Sequence, residues 1–149
     1  MRKIKLNLQI KCHKENHIPK KKKIKTWIKS IIKKKCEITI RIVNISKIKK
    51  LNFLYRNKNQ STNILSFPFD SPKHIKSKIL GDLVICASII KKEAILQNKT
   101  IDVHWAHIII HGTLHLLGYN HNNLNTSSIM EKIEIKAMIN LGYNDPYLI

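Results

Sequence analysis

The sequence predicts an α/β fold: a single domain, residues 1–149, with a small mixed sheet covered by helices around one central, histidine-bearing helix. Three observations predict it. Apolar and polar residues alternate over 4–10 and 37–43, the period-two mark of half-buried strands. Such stretches interleave with segments whose apolar residues recur every three or four positions, as in helices packed on a sheet. The 149 residues show no repeat, linker or break in composition, so one core is expected to serve them all.

Each element follows from its residues. Ile4, Leu6, Leu8 and Ile10 define the first strand, and 11–18 reads as a loop. Pro19 suits the first turn of a helix. Ile24, Trp27, Ile28, Ile31 and Ile32 form its apolar face, flanked by the lysines of 20–23 and 33–35 as a solvated face. Ile38, Ile40 and Ile42 line one side of a strand over 37–43. Ser46 is the expected N-cap of a helix ending near Arg56, with Ile48, Leu51, Leu54 and Tyr55 turned inward. A polar loop spans 57–62. Residues 64–67 predict a short strand that Pro68 confines to an edge. A loop over 71–78 precedes an apolar strand over 81–87, and Ser88 is the expected cap of a helix over 89–98. Thr100 caps the central helix, 101–117, which is apolar almost all round and so suits burial. Ser128 and Glu131 have the spacing of a capping box for the last helix. Met130, Ile133, Ala137, Met138 and Leu141 form its inner face, and Gly142 ends it.

The stretch from His111 to His121 carries the chemistry. His111 and His115 are four apart, so they share one helix face. Both imidazoles can then reach one metal ion at about 2.0–2.1 Å. Gly118 can end the helix in the left-handed conformation, and the returning chain brings His121. Three neutral nitrogens with no fourth protein ligand describe an open, catalytic kind of zinc site. The spacing also fits metzincin proteases, which carry glutamate directly after the first histidine as general base. Here that position is Gly112, so a metallopeptidase is disfavoured. His104 and His107 lie in the same stripe and are read first as hydrogen-bonded core residues; His107, one turn before His111, is placed to bond near the metal. Cys12, Cys36 and Cys86 are widely spaced without a CxxC, which suits a reducing cytoplasm and argues against a cysteine metal site.

The pattern H-G-x-L-H-L-x-G-Y-x-H resembles the signature of the YbeY family of bacterial zinc-dependent endoribonucleases. Tyr55-Arg56 with the run from Thr62 to Phe69 is similar to that family's second signature. So are the run from Leu80 to Ile85, His104 to His107, Met130-Glu131 with Glu134, and the tail Leu141-Gly142-Tyr143. The resemblance implies a zincin-like fold and one zinc per chain on His111, His115 and His121. It also implies Arg56 as the catalytic and substrate-binding phosphate clamp. Thr62 and Asn63, with Ser61, would shape the adjoining wall. The implied activity is cleavage of single-stranded RNA in maturation of the 16S rRNA 3′ end and in ribosome quality control. The implied partners are rRNA and the ribosome or its small-subunit precursor, with no DNA. A zinc-stabilised RNA-binding assembly factor without catalysis is the alternative. Two departures stand out. The family's aspartate before the last histidine is Asn120 here, expected to bond near the ligands with one charge fewer, and its loop Asp and Pro are Asn59 and Ser61.

Charge agrees with a polyanionic partner without identifying it. The net charge is +19, but lysine, isoleucine and asparagine all have AT-rich codons, and compositional drift is a competing source. Only Arg2, Arg41 and Arg56 are arginine among 28 basic residues. Their scarcity gives Arg56 weight, because arginine offers phosphate a planar fork that lysine cannot copy. No apolar run reaches the roughly 20 residues of a membrane span. The N-terminus alternates charge with isoleucine, unlike a signal peptide; a cytoplasmic location is expected.

Overall fold

The computed structural model describes residues 4–12, 17–70 and 78–148. Its four strands run β1 (Ile4–Ile10), β2 (Cys36–Val43), β3 (Ile64–Pro68) and β4 (Ile79–Cys86). They form one sheet in the order β1-β2-β4-β3. β1, β2 and β4 are mutually parallel, and β3 runs antiparallel to β4 along the edge. The helices are α1 (Lys21–Lys29), α2 (Ile45–Arg56), α3 (Ala87–Leu96), α4 (Ile101–Leu116) and α5 (Leu124–Asn140). This is the mixed, helix-covered sheet the sequence predicts. Among the described residues no helix is long and apolar enough to cross a membrane.

Strand alternation decides which helix each face receives. Ile38, Ile40 and Ile42 of β2, Leu83 and Ile85 of β4 and Ile64 of β3 face the larger core with Trp27 of α1 and Trp105 of α4. The opposite side chains, Val43, Leu65, Val84 and Cys86, pack with Ile48 of α2 in a smaller core. α4 lies in the middle, touching β3, β4, α1, α3 and α5. It approaches the sheet closely because residue 112 is glycine. A Cβ there would lie 2.5 Å from Ile64 Cδ1 and 3.1 Å from Leu83 Cδ2.

Several helix starts differ from expectation. Several residues near each start can cap, and in α2 and α5 an asparagine earlier in the chain than the expected serine does so. Asn44, not Ser46, caps α2, its side chain accepting from the Lys47 amide. α3 starts directly from β4 at Cys86, with no side-chain cap, so Ser88 lies inside it. Asn123 and Thr126, not Ser128 and Glu131, make the capping box of α5. Pro19 sits one residue before the Lys20 cap rather than inside α1. Thr100 does cap α4, accepting from Val103. Leu54 and Tyr55, expected inward, are 65% and 66% exposed. The inward polar residue of α2 is Asn52, whose side chain donates to the Gln60 carbonyl at 2.9 Å and holds the following loop. The loop expected over 71–78 and the middle of that over 11–18 fall outside the described residues.

Candidate metal centre and its cleft

α4 ends where the site needs it to. Leu117 is the C-cap and Gly118 follows at φ 102°, a left-handed conformation that glycine adopts without Cβ penalty. The Gly118 amide bonds the His115 carbonyl and the Tyr119 amide bonds the Leu114 carbonyl. This is the Schellman closure, which turns the chain back across the helix end. The turn brings His121 to the pair on the helix. Ligand atoms of His111, His115 and His121 all lie within 4.8 Å of one another. The Nε2 atoms of His111 and His115 are 3.2 Å apart. The His121 ring stacks on His111 at 5.5 Å and meets His115 edge-on at 4.9 Å.

The donor set fits a borderline-soft divalent ion. All three candidate ligands are imidazoles, and His111 is already oriented. Glu134 of α5 is fully buried. Its Oε1 accepts from His111 Nδ1 at 2.8 Å and from His107 Nε2 at 3.0 Å; its Oε2 accepts from the Tyr147 hydroxyl at 2.7 Å. A carboxylate only accepts, so His111 carries its proton on Nδ1 and presents the Nε2 lone pair to the other ligands. Burial alone would raise the Glu134 carboxyl. The three hydrogen bonds outweigh it and hold the group at about 2. Burial and the adjacent carboxylate push the Tyr147 hydroxyl well above its ordinary value. Burial, then the neighbouring His111 and His121, lowers His115 to about 4, so it is neutral at neutral pH, the form a metal ion requires.

A cavity of about 660 Å³ opens over these histidines. Its walls include Arg56, Thr62, Asn63, His107 and Asn120 as well as the three clustered histidines; Ser61, expected beside Thr62 on the wall, does not line it. Arg56 is the last residue of α2. The preceding Tyr55 sets that helix end against β3, its ring meeting Phe67 edge to face at 5.2 Å. The sites differ in what their side chains already bond. Asn63 Nδ2 donates to Glu93 at 3.0 Å. Asn120 Oδ1 accepts from the Asn122 amide at 3.2 Å, a local turn. His104 is a core residue, hydrogen-bonded to Glu93 at 3.0 Å.

Sequence reasoning gave Glu134 and Tyr147 no role. Glu134 left a signal: an acid at an inward position of α5, between Met130 and Ala137. Tyr147 left none, since it follows the last helix. An Asp145 turn and the Lys99 ammonium, bonded to the Pro146 carbonyl at 2.7 Å, fold the tail back to Glu134.

The fold and site together define a zincin-like α/β protein with three histidines that could hold a metal ion, on a central helix and the turn that follows it. The solution structure of TM1509 from Thermotoga maritima has the same fold, with a TM-score of 0.53 at 21% identity over 99% of this chain and all of that one. Residues 9–142 match the family described as Endoribonuclease YbeY. Endoribonuclease YbeY of Buchnera aphidicola subsp. Acyrthosiphon pisum (strain APS) is 52% identical across all of this chain and 98% of its own length. The chain belongs to the endoribonuclease YbeY family.

Proposed function

We propose that the protein is a zinc-dependent endoribonuclease that cuts single-stranded RNA in the cytoplasm during ribosomal RNA maturation, at the 3′ end of 16S rRNA, and in ribosome quality control. The observation that carries this reading is the meeting of Arg56 and the three ligand histidines at one cavity. His111, His115 and His121 hold the ion, one per chain. Bound zinc supplies Lewis-acid polarisation of a phosphate oxygen and a water with a pKa of about 7. The remaining work falls to the chain. Arg56 engages the scissile phosphate through its planar fork. Thr62 offers a hydroxyl in the same cavity. Glu134, steadied by Tyr147, keeps His111 in one tautomer. Gly112 faces Ile64 and Leu83, so the position that supplies a protease its general base is occupied here by packing.

Incubating the protein with labelled single-stranded RNA and with peptides, with and without chelator, tests the reading. Chelator-sensitive internal cuts in RNA, and none in peptide, are expected. RNA binding without cleavage by zinc-loaded protein would replace the enzyme with a binding factor.

A further inference from the structure

α2 covers only one end of its face of the sheet, above Val43, Val84, Leu65 and Cys86. Farther along the same face, Thr39 pairs with Asp82 and Asp82 with Phe67 across β2, β4 and β3. With Arg41 and Tyr55 these residues line a second cavity of about 190 Å³. Tyr55 and Phe67 also line the histidine cavity, so the two hollows meet at this aromatic pair.

The second hollow has a distinct chemistry. It is smaller than the roughly 300–1,000 Å³ of sites that enclose a whole small molecule, and suits one planar group. Tyr55 is 66% exposed and offers a ring for stacking. Asp82 is exposed and its side chain makes no hydrogen bond or ion pair among the described residues, in a chain with 28 basic residues and nine acidic ones. Its open carboxylate accepts hydrogen bonds and repels phosphate. Arg41 lines the same hollow; its Nε donates to Gln9 of β1 at 3.3 Å, on the side of β2 away from Asp82. A hollow bordered by both an acceptor and a donor matches the edge of a base, not the backbone.

Resting on the endoribonuclease reading, we propose that this hollow holds one unpaired base of the RNA strand, next to the nucleotide whose phosphate lies at Arg56. Asp82 favours a base with an exocyclic amine, so adenine, cytosine or guanine is preferred over uracil there. Such a base must leave its stack to enter, which also selects single strands over duplex.

Two measurements test this. The first maps the bases flanking each cut in a random-sequence single-stranded RNA pool. Wild type is expected to deplete uridine at one fixed position beside the cut, and Asp82→Asn to lose that depletion. The second measures anisotropy of a fluorescein-labelled single-stranded RNA with metal-free protein. Tyr55→Leu should bind about tenfold more weakly, the scale of one lost base stack, and Tyr55→Phe should recover most of the affinity. Thermal melting checks that each variant is folded. Unchanged affinity and unchanged base frequencies in folded Tyr55→Leu and Asp82→Asn would overturn the base site while leaving the enzyme reading intact. Wild type that neither binds nor cuts RNA would overturn both.

Discussion

Glutamine at position 134 keeps the size of the buried side chain and removes its charge. The carboxylate accepts from His107, His111 and Tyr147. An amide has one acceptor oxygen, and its nitrogen must face at least one of those donors. Hydrogen bonds to a charged group contribute about 1.5–3 kcal/mol. Linkage gives the same scale. The fall of the carboxyl from 4.5 to about 2 corresponds, at about 1.36 kcal/mol per pH unit, to roughly 3 kcal/mol. An acid with a depressed folded-state pKa contributes its stability in full above the unfolded value and loses it as pH falls through the folded one. Glu134→Gln should therefore destabilise the metal-free protein by about 2–3 kcal/mol at pH 7, with a gap that narrows below pH 4.5. Losing the partner of a ligand histidine should also weaken zinc by about 10–100-fold. Urea denaturation at pH 7 and pH 4, with zinc affinity from competition against a chromophoric chelator, measures both. Equal urea midpoints and equal zinc affinity in the two proteins would refute the idea that Glu134 organises the centre.

His115→Ala should take zinc from one per chain to none by elemental analysis, because two imidazoles remain where three converged. Arg56→Lys should slow RNA cleavage more than any single lysine change within 20–23, which should act mainly on the salt dependence of binding; rate constants across a salt series compare them. Asn120→Asp should tighten zinc or speed cleavage by less than the 10–100-fold of a lost partner, since the Asn120 oxygen already serves a local turn; no change in either would assign residue 120 to the turn alone. Gly112→Ala should be destabilised, by about 1–3 kcal/mol of overpacking less about 1 kcal/mol of helix propensity, and Ile64→Val should relieve it by removing the atom 2.5 Å from the new Cβ; urea midpoints of the single and double variants read this out.

The strands were legible because each keeps one face buried, so period two survives in Ile38, Ile40 and Ile42. Helix ends were less legible, because Asn44, Ser46, Ser88, Asn123 and Ser128 can all cap and only the exit angle from the preceding element selects among them. The histidine cluster was legible because eleven residues, 111–121, contain it all. Their supports were not. His107 and His111 reach Glu134 across 27 and 23 positions, His104 reaches Glu93 across 11, and Tyr147 closes on Glu134 from beyond the last helix. A stripe of four histidines looks uniform in sequence. The fold divides it, committing His104 to α3, His107 to α5, and leaving His111 and His115 to the cleft.

The same locality bears on what the metal is for. A clip stabilises a fold by closing a long loop, since the entropy it removes grows with the length closed. His111 to His121 closes ten positions, part of which the helix and its Schellman turn already fix. Little unfolded-state freedom is left for zinc to remove. The core around Trp27, Trp105 and the isoleucines of β2 is assembled from segments far outside that span, and Glu134 holds His111 without any ion. A structural zinc domain is built the other way, with its ligands drawn from distant segments and its core too small to stand alone. Three histidines on a short, already rigid segment, facing an open cavity beside Arg56, would put a bound ion where folding does not wait for it and where it could act on a bound phosphate. That arrangement favours the enzyme over a factor that keeps zinc only to stay folded.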